Sequence, residues 1–297
     1  MTDLMKDINE IDRAQLDKLN QAQTEGEGVR LPFPALYFHV KNGEPNMKGN
    51  AVPSRYFGGW EADPEKMQEL LDSGEIPAIP ENWLPYLASS REGKEYSAIG
   101  TRYLVVAVIA SRTSWTSKDG KARAQTYSPE YTRQHRQWLG LLLNQNKPER
   151  FVIPVILSAK GYQASNTNDA VGKWNTAINQ FRKELNATTL GRYAFWLTLG
   201  TSGDKPDFKK VGPAGQQSTI TPITAIIPEG LTAEAVSKRF IGRDNLSRCV
   251  EIFDAAQEWL GAWKQDKPTA SGAIGRDVQR ANATADPVTG EMYPEDW

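Results

Sequence analysis

The stretch 103-YLVVAVIASRTSWTSKDGKARAQTY-127 decides the fold. Its first seven residues form an apolar, β-branched run that is typical of a buried strand. The sequence Lys118-Asp119-Gly120-Lys121 follows this strand, and Asp-Gly favours the type I′ turn that joins antiparallel strands. The sequence therefore predicts a β-hairpin in which residues 122–127 return alongside residues 103–117.

Other strands are predicted outward from this hairpin, at residues 31–40, 151–157, 193–199 and 217–227. Prolines at positions 32 and 34 favour an edge position for the first of them, because proline cannot donate a hydrogen bond to a neighbouring strand.

Apolar residues at helical spacing predict the helices. Ser128 and Pro129 resemble an N-cap and a first helical residue, and they precede apolar or aromatic residues at helical spacing. Those residues are Tyr131, His135, Trp138 and Leu142. The other predicted helices cover residues 3–20, 64–72 and 168–186, and a further one starts near residue 232, breaks near Gly242 and restarts at Asp244.

This order of elements predicts an α+β fold, with a twisted antiparallel sheet or an OB-like β-barrel and peripheral helices. Residues 1–28 are expected to form an N-terminal helix and a joint, and residues 29–263 a single core domain. Within that domain, residues 41–95 are a proline-rich, acidic elaboration and residues 96–263 the sheet and helices. Residues 264–297 lack periodicity and are expected to form a flexible tail.

Composition excludes several classes of protein. The 297 residues are 39% hydrophobic and include nine tryptophans, which is enough for a folded core. There is no run of eighteen apolar residues, and the N-terminus lacks the apolar region of a signal peptide. Cys249 is the single cysteine, so no internal disulfide can form, and its apolar helical pattern predicts a core position. A protein without disulfides is expected in the reducing cytoplasm, and the lack of a long apolar run leads us to expect no membrane partner.

Catalytic motifs are missing from the sequence. It contains no phosphate-binding P-loop, no dinucleotide-binding glycine motif and no nucleophile elbow. Its two histidines, His39 and His135, are expected to be a strand residue and a core residue, respectively. Because the motifs and a cluster of histidines are both missing, we expect the protein to have no cofactor and no metal site and not to be an enzyme. A metal-dependent nuclease is an alternative, although the nearest acidic groups, Asp207 and Glu92–Lys94, lack the expected strand context.

Charge is distributed unevenly along the chain. Residues 1–95 carry 10 Lys and Arg against 17 Asp and Glu, whereas residues 96–160 carry 10 against 3. The net charge of −1 for the whole chain therefore conceals a basic segment. A local positive field of this kind can attract a polyanion.

Aromatic residues interleave with the cations of the basic segment. Single-strand binding without sequence readout requires cations for phosphates and flat rings for bases. The candidate contacts are Arg102, Tyr103, Arg112, Trp115, Lys118, Lys121, Arg123, Tyr127, Lys160 and Tyr162. Trp115 would form a stacking surface if it shares a face with Arg123 and Tyr127; alternatively, it packs in the core and the lysines only solvate the turn.

The C-terminal residues Glu291–Trp297 combine carboxylates, a proline and a terminal aromatic. This tip resembles that of single-stranded DNA-binding proteins of the bacterial and phage or plasmid type. The resemblance implies that Tyr293, Pro294, Glu295, Asp296 and Trp297 recruit replication or recombination proteins. It covers about a fifth of the chain when the basic–aromatic segment is included.

Together, these features favour a non-catalytic protein that binds single-stranded DNA. The hypothesis is compatible with a homo-oligomer as well as with a monomer. The alternatives are an assembly module whose interface is the segment 41–95, and the nuclease.

The acidic tip and a DNA strand would compete for the same basic surface. Deleting Glu291–Trp297 is therefore expected to raise the affinity for single-stranded DNA at low salt, measured by anisotropy of a labelled oligonucleotide. An unchanged affinity would contradict this competition.

Overall fold

The computed structural model describes residues 31–43, 58–89, 95–117, 123–124, 127–147, 149–187, 189–201, 208–212 and 217–261. The predicted N-terminal helix, the turn at residues 118–121, the acidic groups at 92–94 and 207, and the tail from residue 264 lie outside these ranges.

Twelve strands are formed in the described ranges. They are β1 (Leu36–Lys41), β2 (Gly59–Ala62), β3 (Leu84–Ser89), β4 (Glu95–Thr101), β5 (Tyr103–Thr116), β6 (Arg123–Ala124), β7 (Arg133–Asn144), β8 (Phe151–Lys160), β9 (Leu197–Gly200), β10 (Lys209–Val211), β11 (Ser218–Ile220) and β12 (Thr224–Ala225).

The helices are α1 (Pro64–Asp72), α2 (Tyr162–Glu184), α3 (Ala233–Ser237), α4 (Arg243–Ala255) and α5 (Gln257–Gly261), with a 3₁₀ turn at Arg192–Ala194. The prediction of helix 64–72 is confirmed, and the Asp63 side chain caps its N-terminus. The helix break near Gly242 is confirmed as well, whereas α2 begins six residues earlier than predicted.

Ten strands form one large sheet, in the order β12-β9-β5-β7-β8-β1-β2-β4-β3, with β6 paired to β5. β10 and β11 form a separate pair. Because β1 and β8 run parallel and the other pairs are antiparallel, the sheet is mixed rather than antiparallel throughout. The predicted α+β class with a sheet core and peripheral helices is confirmed.

The sheet curls into a half-barrel, which is consistent with an OB-like core. The indole Nε1 of Trp60 in β2 donates a hydrogen bond to the carbonyl oxygen of Leu199 in β9, at 3.0 Å. These two strands stand five positions apart in the sheet order, so only strong curvature can bring them together.

Each strand presents alternate residues to two faces, and paired residues on neighbouring strands share a face. The inner face carries Trp138, Leu157, Phe38 and Trp60, all of them buried. The outer face carries a row of polar residues, which are paired in turn across five strands. This row is Arg112, Gln137, Ser158, His39 and Glu61.

The helix predicted after Ser128 is wrong, because residues 133–144 form the strand β7. Residues 138–143, Trp-Leu-Gly-Leu-Leu-Leu, are buried on both sides of the strand, so the apolar run is continuous rather than alternating. A short continuous run of this kind is compatible with either a helix or a buried strand. Gly140 favours the strand, since glycine weakens a helix interior.

Three predicted strands differ in extent or position. The strand predicted at residues 193–199 begins only at Leu197, as β9, because Arg192–Ala194 form a 3₁₀ turn. β1 is central, between β8 and β2, rather than at an edge. It begins at Leu36, after Pro32 and Pro34, so the prolines remove no hydrogen bond from it. The predicted strand 217–227 is divided into β11 and β12, with Pro222 between them.

None of the helices formed by the described residues is both long enough and apolar enough to cross a lipid bilayer.

Gly140 in β7 lies close to the backbone of β5. A Cβ added there would stand 2.7 Å from Cγ2 of Val106 and 2.8 Å from the carbonyl oxygen of Ala107. We expect Gly140→Ala to lower the free energy of unfolding by about 1–3 kcal/mol, because the backbone oxygen cannot move aside.

The matched control is Gly172→Ala in α2, where a Cβ meets nothing within 4 Å. This change is expected to raise stability by about 0.5–1 kcal/mol, through helix propensity. Urea titration of both variants measures the difference, and equal midpoints would contradict the close packing of β5 on β7.

Candidate nucleic-acid interface

Three long strands, β5, β7 and β8, bring several of the predicted residues to one end of the sheet. Ser114 pairs with His135, and His135 pairs with Lys160. Lys160 is exposed, and Arg133, two residues from His135 on the same face, is exposed too. Two cations are therefore fixed on adjacent strands at this end of the outer face.

The line of cations continues onto β1. His39 in β1 pairs with Ser158 in β8, and these two strands are parallel. Lys41 lies two residues after His39, and Lys160 lies two residues after Ser158. Lys41 is therefore level with Lys160 on the outer face. Lys41 in turn pairs with Gly59 at the start of β2.

Gly59 connects this line to Arg102. Its φ of 134° suits glycine, and a Cβ added there would lie 3.0 Å from Cα of Arg102. Arg102 is exposed at the junction of β4 and β5, beside the exposed Tyr103. We call Arg133, Lys160, Lys41 and Arg102 the basic belt. Its first three members lie on the outer face of β7, β8 and β1, and Arg102 lies at the junction of β4 and β5.

The N-terminus of α2 lies beside the basic belt. α2 begins two residues after Lys160, with Gly161 at its N-cap; it has no side-chain cap and no acidic residue in its first turn. Cγ of Arg133 is the nearest neighbouring atom to the Cβ position of Gly161, at 4.0 Å. The helix dipole therefore adds partial positive charge where two cations already stand, and this combination favours an anion.

Aromatic side chains flank the basic belt. Tyr162, the first residue of α2, is 43% exposed, and Tyr103 is 44% exposed. Trp115 and Tyr127 contact each other edge to face, with ring centroids 5.2 Å apart. Trp115 is half-buried and belongs to the inner face by alternation, so this pair lies at the rim of the sheet rather than on the belt.

The remaining predicted contacts are placed as follows. Lys118 and Lys121 lie outside the described residues. Arg123 is described through its backbone, and it pairs with Thr116 rather than with Trp115. The structure thus brings Arg102, Tyr103, Lys160 and Tyr162 to the belt, and Trp115 and Tyr127 to its rim.

Arg112 is buried in the fold instead of facing solvent. Its guanidinium carbon lies 3.5 Å from the ring centroid of Trp259 in α5, and Nη1 donates to the carbonyl oxygen of Trp259 at 2.9 Å. Nε donates to Oε1 of Gln137 at 2.7 Å. Only 7% of Arg112 is accessible, so its side chain fixes α5 to the sheet and is not placed to meet a phosphate.

Sequence reasoning missed two residues of the belt: Arg133, which lies where the sequence predicts a helix, and Lys41, which lies at the start of segment 41–95, where the sequence predicts a loop-rich elaboration. The Nζ of Lys41 lies 3.6 Å from Oε2 of Glu61, which accepts hydrogen bonds from the hydroxyls of Tyr86 and Tyr96. The strand pairing of His39 with Glu61 would have indicated this neighbourhood, but no local pattern in the sequence predicts that pairing.

The two histidines and the cysteine occupy the environments predicted for them. His135 is buried and contacts the Ser158 hydroxyl at 3.0 Å, although it lies on a strand and not on a helix. His39 is a strand residue whose ring reaches solvent; desolvation by the surrounding protein nevertheless lowers its pKa. Complete burial raises the pKa of the Cys249 thiol, which makes it an inert core residue.

Among the described residues, no group of three or more His, Cys, Asp and Glu side chains is placed to hold a metal ion. The sequence matches no protein-family profile, and neither a curated protein nor a solved structure is significantly similar to the chain.

The environment of Arg112 predicts a structural effect of its removal. Arg112→Met is expected to lower the free energy of unfolding by about 2–4 kcal/mol, since Gln137 and the Trp259 carbonyl lose a buried donor and the indole loses its cation. Arg133→Met on the exposed surface is expected to change it by no more than about 0.5 kcal/mol.

Chemical denaturation of both variants, followed by circular dichroism, measures these differences. A stable Arg112→Met protein would show that the contact with Trp259 is not what holds α5 on the sheet.

Proposed function

We propose that this protein binds single-stranded nucleic acid, and single-stranded DNA in particular, without catalysis and without sequence preference. The observation that carries the proposal is the basic belt. Strand pairing sets Arg133, Lys160 and Lys41 along the outer face, and the backbone of Arg102 lies close to Gly59 at the end of this row, with Tyr162 and Tyr103 nearby.

The belt supplies the two kinds of group that such binding requires. Cations along a line neutralise consecutive phosphates and release their counterions, and neighbouring rings stack on bases. Neither kind of contact reads the edge of a base, so the expected binding is tolerant of sequence.

The curvature of the sheet favours a single strand over a duplex. The belt extends over a curled sheet, from β7 through β8, β1 and β2 to the junction of β4 and β5. A duplex is stiff over about 150 base pairs and must be bent at a cost in free energy to follow such a surface. A flexible single strand follows it at a smaller cost.

Recruitment of replication or recombination proteins by Tyr293–Trp297 completes the proposal. It rests on the sequence resemblance of the tip to that of single-stranded DNA-binding proteins.

An assembly module is the second candidate function, and the exposed apolar residues of segment 41–95 favour it. Ile79, Leu84 and Leu87 are 37%, 54% and 43% exposed, and β3 is the last strand in the sheet order. Apolar side chains on and beside a sheet edge are typical of a surface that pairs with another chain.

Binding of a labelled oligo-dT of about 30 nucleotides, followed by anisotropy over a series of salt concentrations, tests the first proposal. We expect tight binding whose log affinity falls linearly with log salt. Lys160→Gln and Arg102→Gln are each expected to lower the affinity and to reduce the slope by about 0.7, the value for one phosphate contact on a single strand.

The charge-matched control is Lys238→Gln, because Lys238 pairs with Glu234 at 2.8 Å and lies outside the belt. It should bind as the unmodified protein does. Tyr162→Leu, which removes an exposed ring beside the belt, is expected to weaken binding by about 1–3 kcal/mol. Absence of binding at low salt would overturn the proposal, and a fixed oligomer in light scattering would then favour the assembly module.

A further inference from the structure

Two tyrosines on the outer face stand next to the basic belt. Tyr86 in β3 pairs with Ala98 in β4, and Tyr96 lies two residues along β4 from Ala98. Tyr86 and Tyr96 are therefore diagonal neighbours on one face of adjacent strands, at a separation that aromatic side chains can span.

One carboxylate fixes both rings. The Tyr96 hydroxyl donates to Oε1 of Glu61 at 3.0 Å, and the Tyr86 hydroxyl donates to Oε2 of the same residue. Desolvation, followed by the negative charge of Glu61, raises the pKa of Tyr96, so its hydroxyl remains a donor at neutral pH. Each ring is thereby held at both ends, by its strand and by Glu61.

Lys41 of the belt reaches the same place. Its Nζ lies 5.8 Å from the centroid of the Tyr96 ring and 3.6 Å from Glu61. The paired carboxylate neutralises part of the charge of Lys41, while the cation remains next to an aromatic face. The belt and the tyrosine pair are thus contiguous on the outer face.

The two rings do not belong to the hydrophobic core that the described residues form. Both are half-buried, and the buried apolar cluster beneath the sheet contains neither of them. Core packing therefore does not account for two tyrosines at these positions, whereas an aromatic surface beside a cation is what an unpaired base requires.

We propose that Tyr86 and Tyr96 form a second stacking subsite, which takes a base of the single strand whose phosphate lies at Lys41. This inference rests on the proposed function. Immobilised rings lose little conformational entropy when a base stacks on them, so the subsite is pre-organised by Glu61. Binding tightens without any contact to a base edge.

The test compares Tyr96→Phe with Tyr96→Leu in the full chain, using the same oligo-dT titration. Phenylalanine keeps the ring and loses the hydrogen bond to Glu61, whereas leucine keeps apolar bulk and loses the ring. We expect Tyr96→Phe to bind about 2- to 5-fold more weakly than the unmodified protein, because its freed ring must be ordered on binding, and Tyr96→Leu to bind roughly 10- to 100-fold more weakly, because the ring is absent.

If both variants bind as the unmodified protein does, the subsite does not exist. If both lose affinity equally, the hydroxyl acts through Glu61 in a purely structural role, and the stacking proposal is overturned. Tyr86→Leu gives an independent measure in case Tyr96→Leu fails to fold, and it is expected to weaken binding in the same direction.

Photocrosslinking of the unmodified protein needs no variant. An oligo-dT that carries 5-iododeoxyuridine is irradiated in the complex, and the crosslinked peptides are identified by mass spectrometry. Crosslinks at Tyr86 or Tyr96 support the subsite, and crosslinks confined to Tyr103, Tyr162 and the rim contradict it while leaving the proposed function intact. Absence of binding by the unmodified protein would overturn both.

Discussion

The extra residue in β5 is the constraint on which the rest of the structure depends. The register between β5 and β7 shifts between Val108 and Ala110, so that Val108 pairs with Gly140 and Ala110 pairs with Leu139. A bulge of one residue moves every later side chain to the opposite face. Val106 and Val108 thereby face inward with Trp138, while Arg112 and Ser114 face outward, where Trp259 and the polar row receive them. Without the bulge, a guanidinium would point into the apolar inner face at a high cost in free energy.

Local sequence patterns predict a helix or strand of this fold well when only one of its faces is apolar. They predict it poorly when both of its faces are apolar. Helix 64–72 and the helix break at Gly242 follow from capping and periodicity, which are properties of neighbouring residues. The sequence predicts a helix where β7 forms, because a strand that is covered on both faces has no alternation to distinguish it from a helix. The parallel pairing of β1 with β8 joins residues more than a hundred positions apart, and no turn sequence specifies it.

The same distinction explains which site residues the sequence could indicate. Arg102, Lys160 and Tyr162 stand out because basic and aromatic residues are dense in one segment, and the fold places the first two in the belt and Tyr162 beside it. Arg112 belongs to that segment too, but Trp259, which determines its burial, is 147 positions away. Lys41 comes from an acidic part of the chain, and it reaches the belt only through the pairing of β1 with β8 and β2.

A near-neutral chain can present a cationic surface when the fold separates its charges, and this fold does so incompletely. The N-terminal third is acidic, yet it contributes one cation, Lys41, to the belt. It also contributes Glu61, whose carboxylate partly neutralises Lys41. The same carboxylate orients two tyrosines beside that cation. At Lys41 the net positive charge of the belt is therefore lower than at its other residues, and two oriented tyrosine rings stand beside it. Binding there would depend less on salt than at Lys160, because stacking releases no counterions.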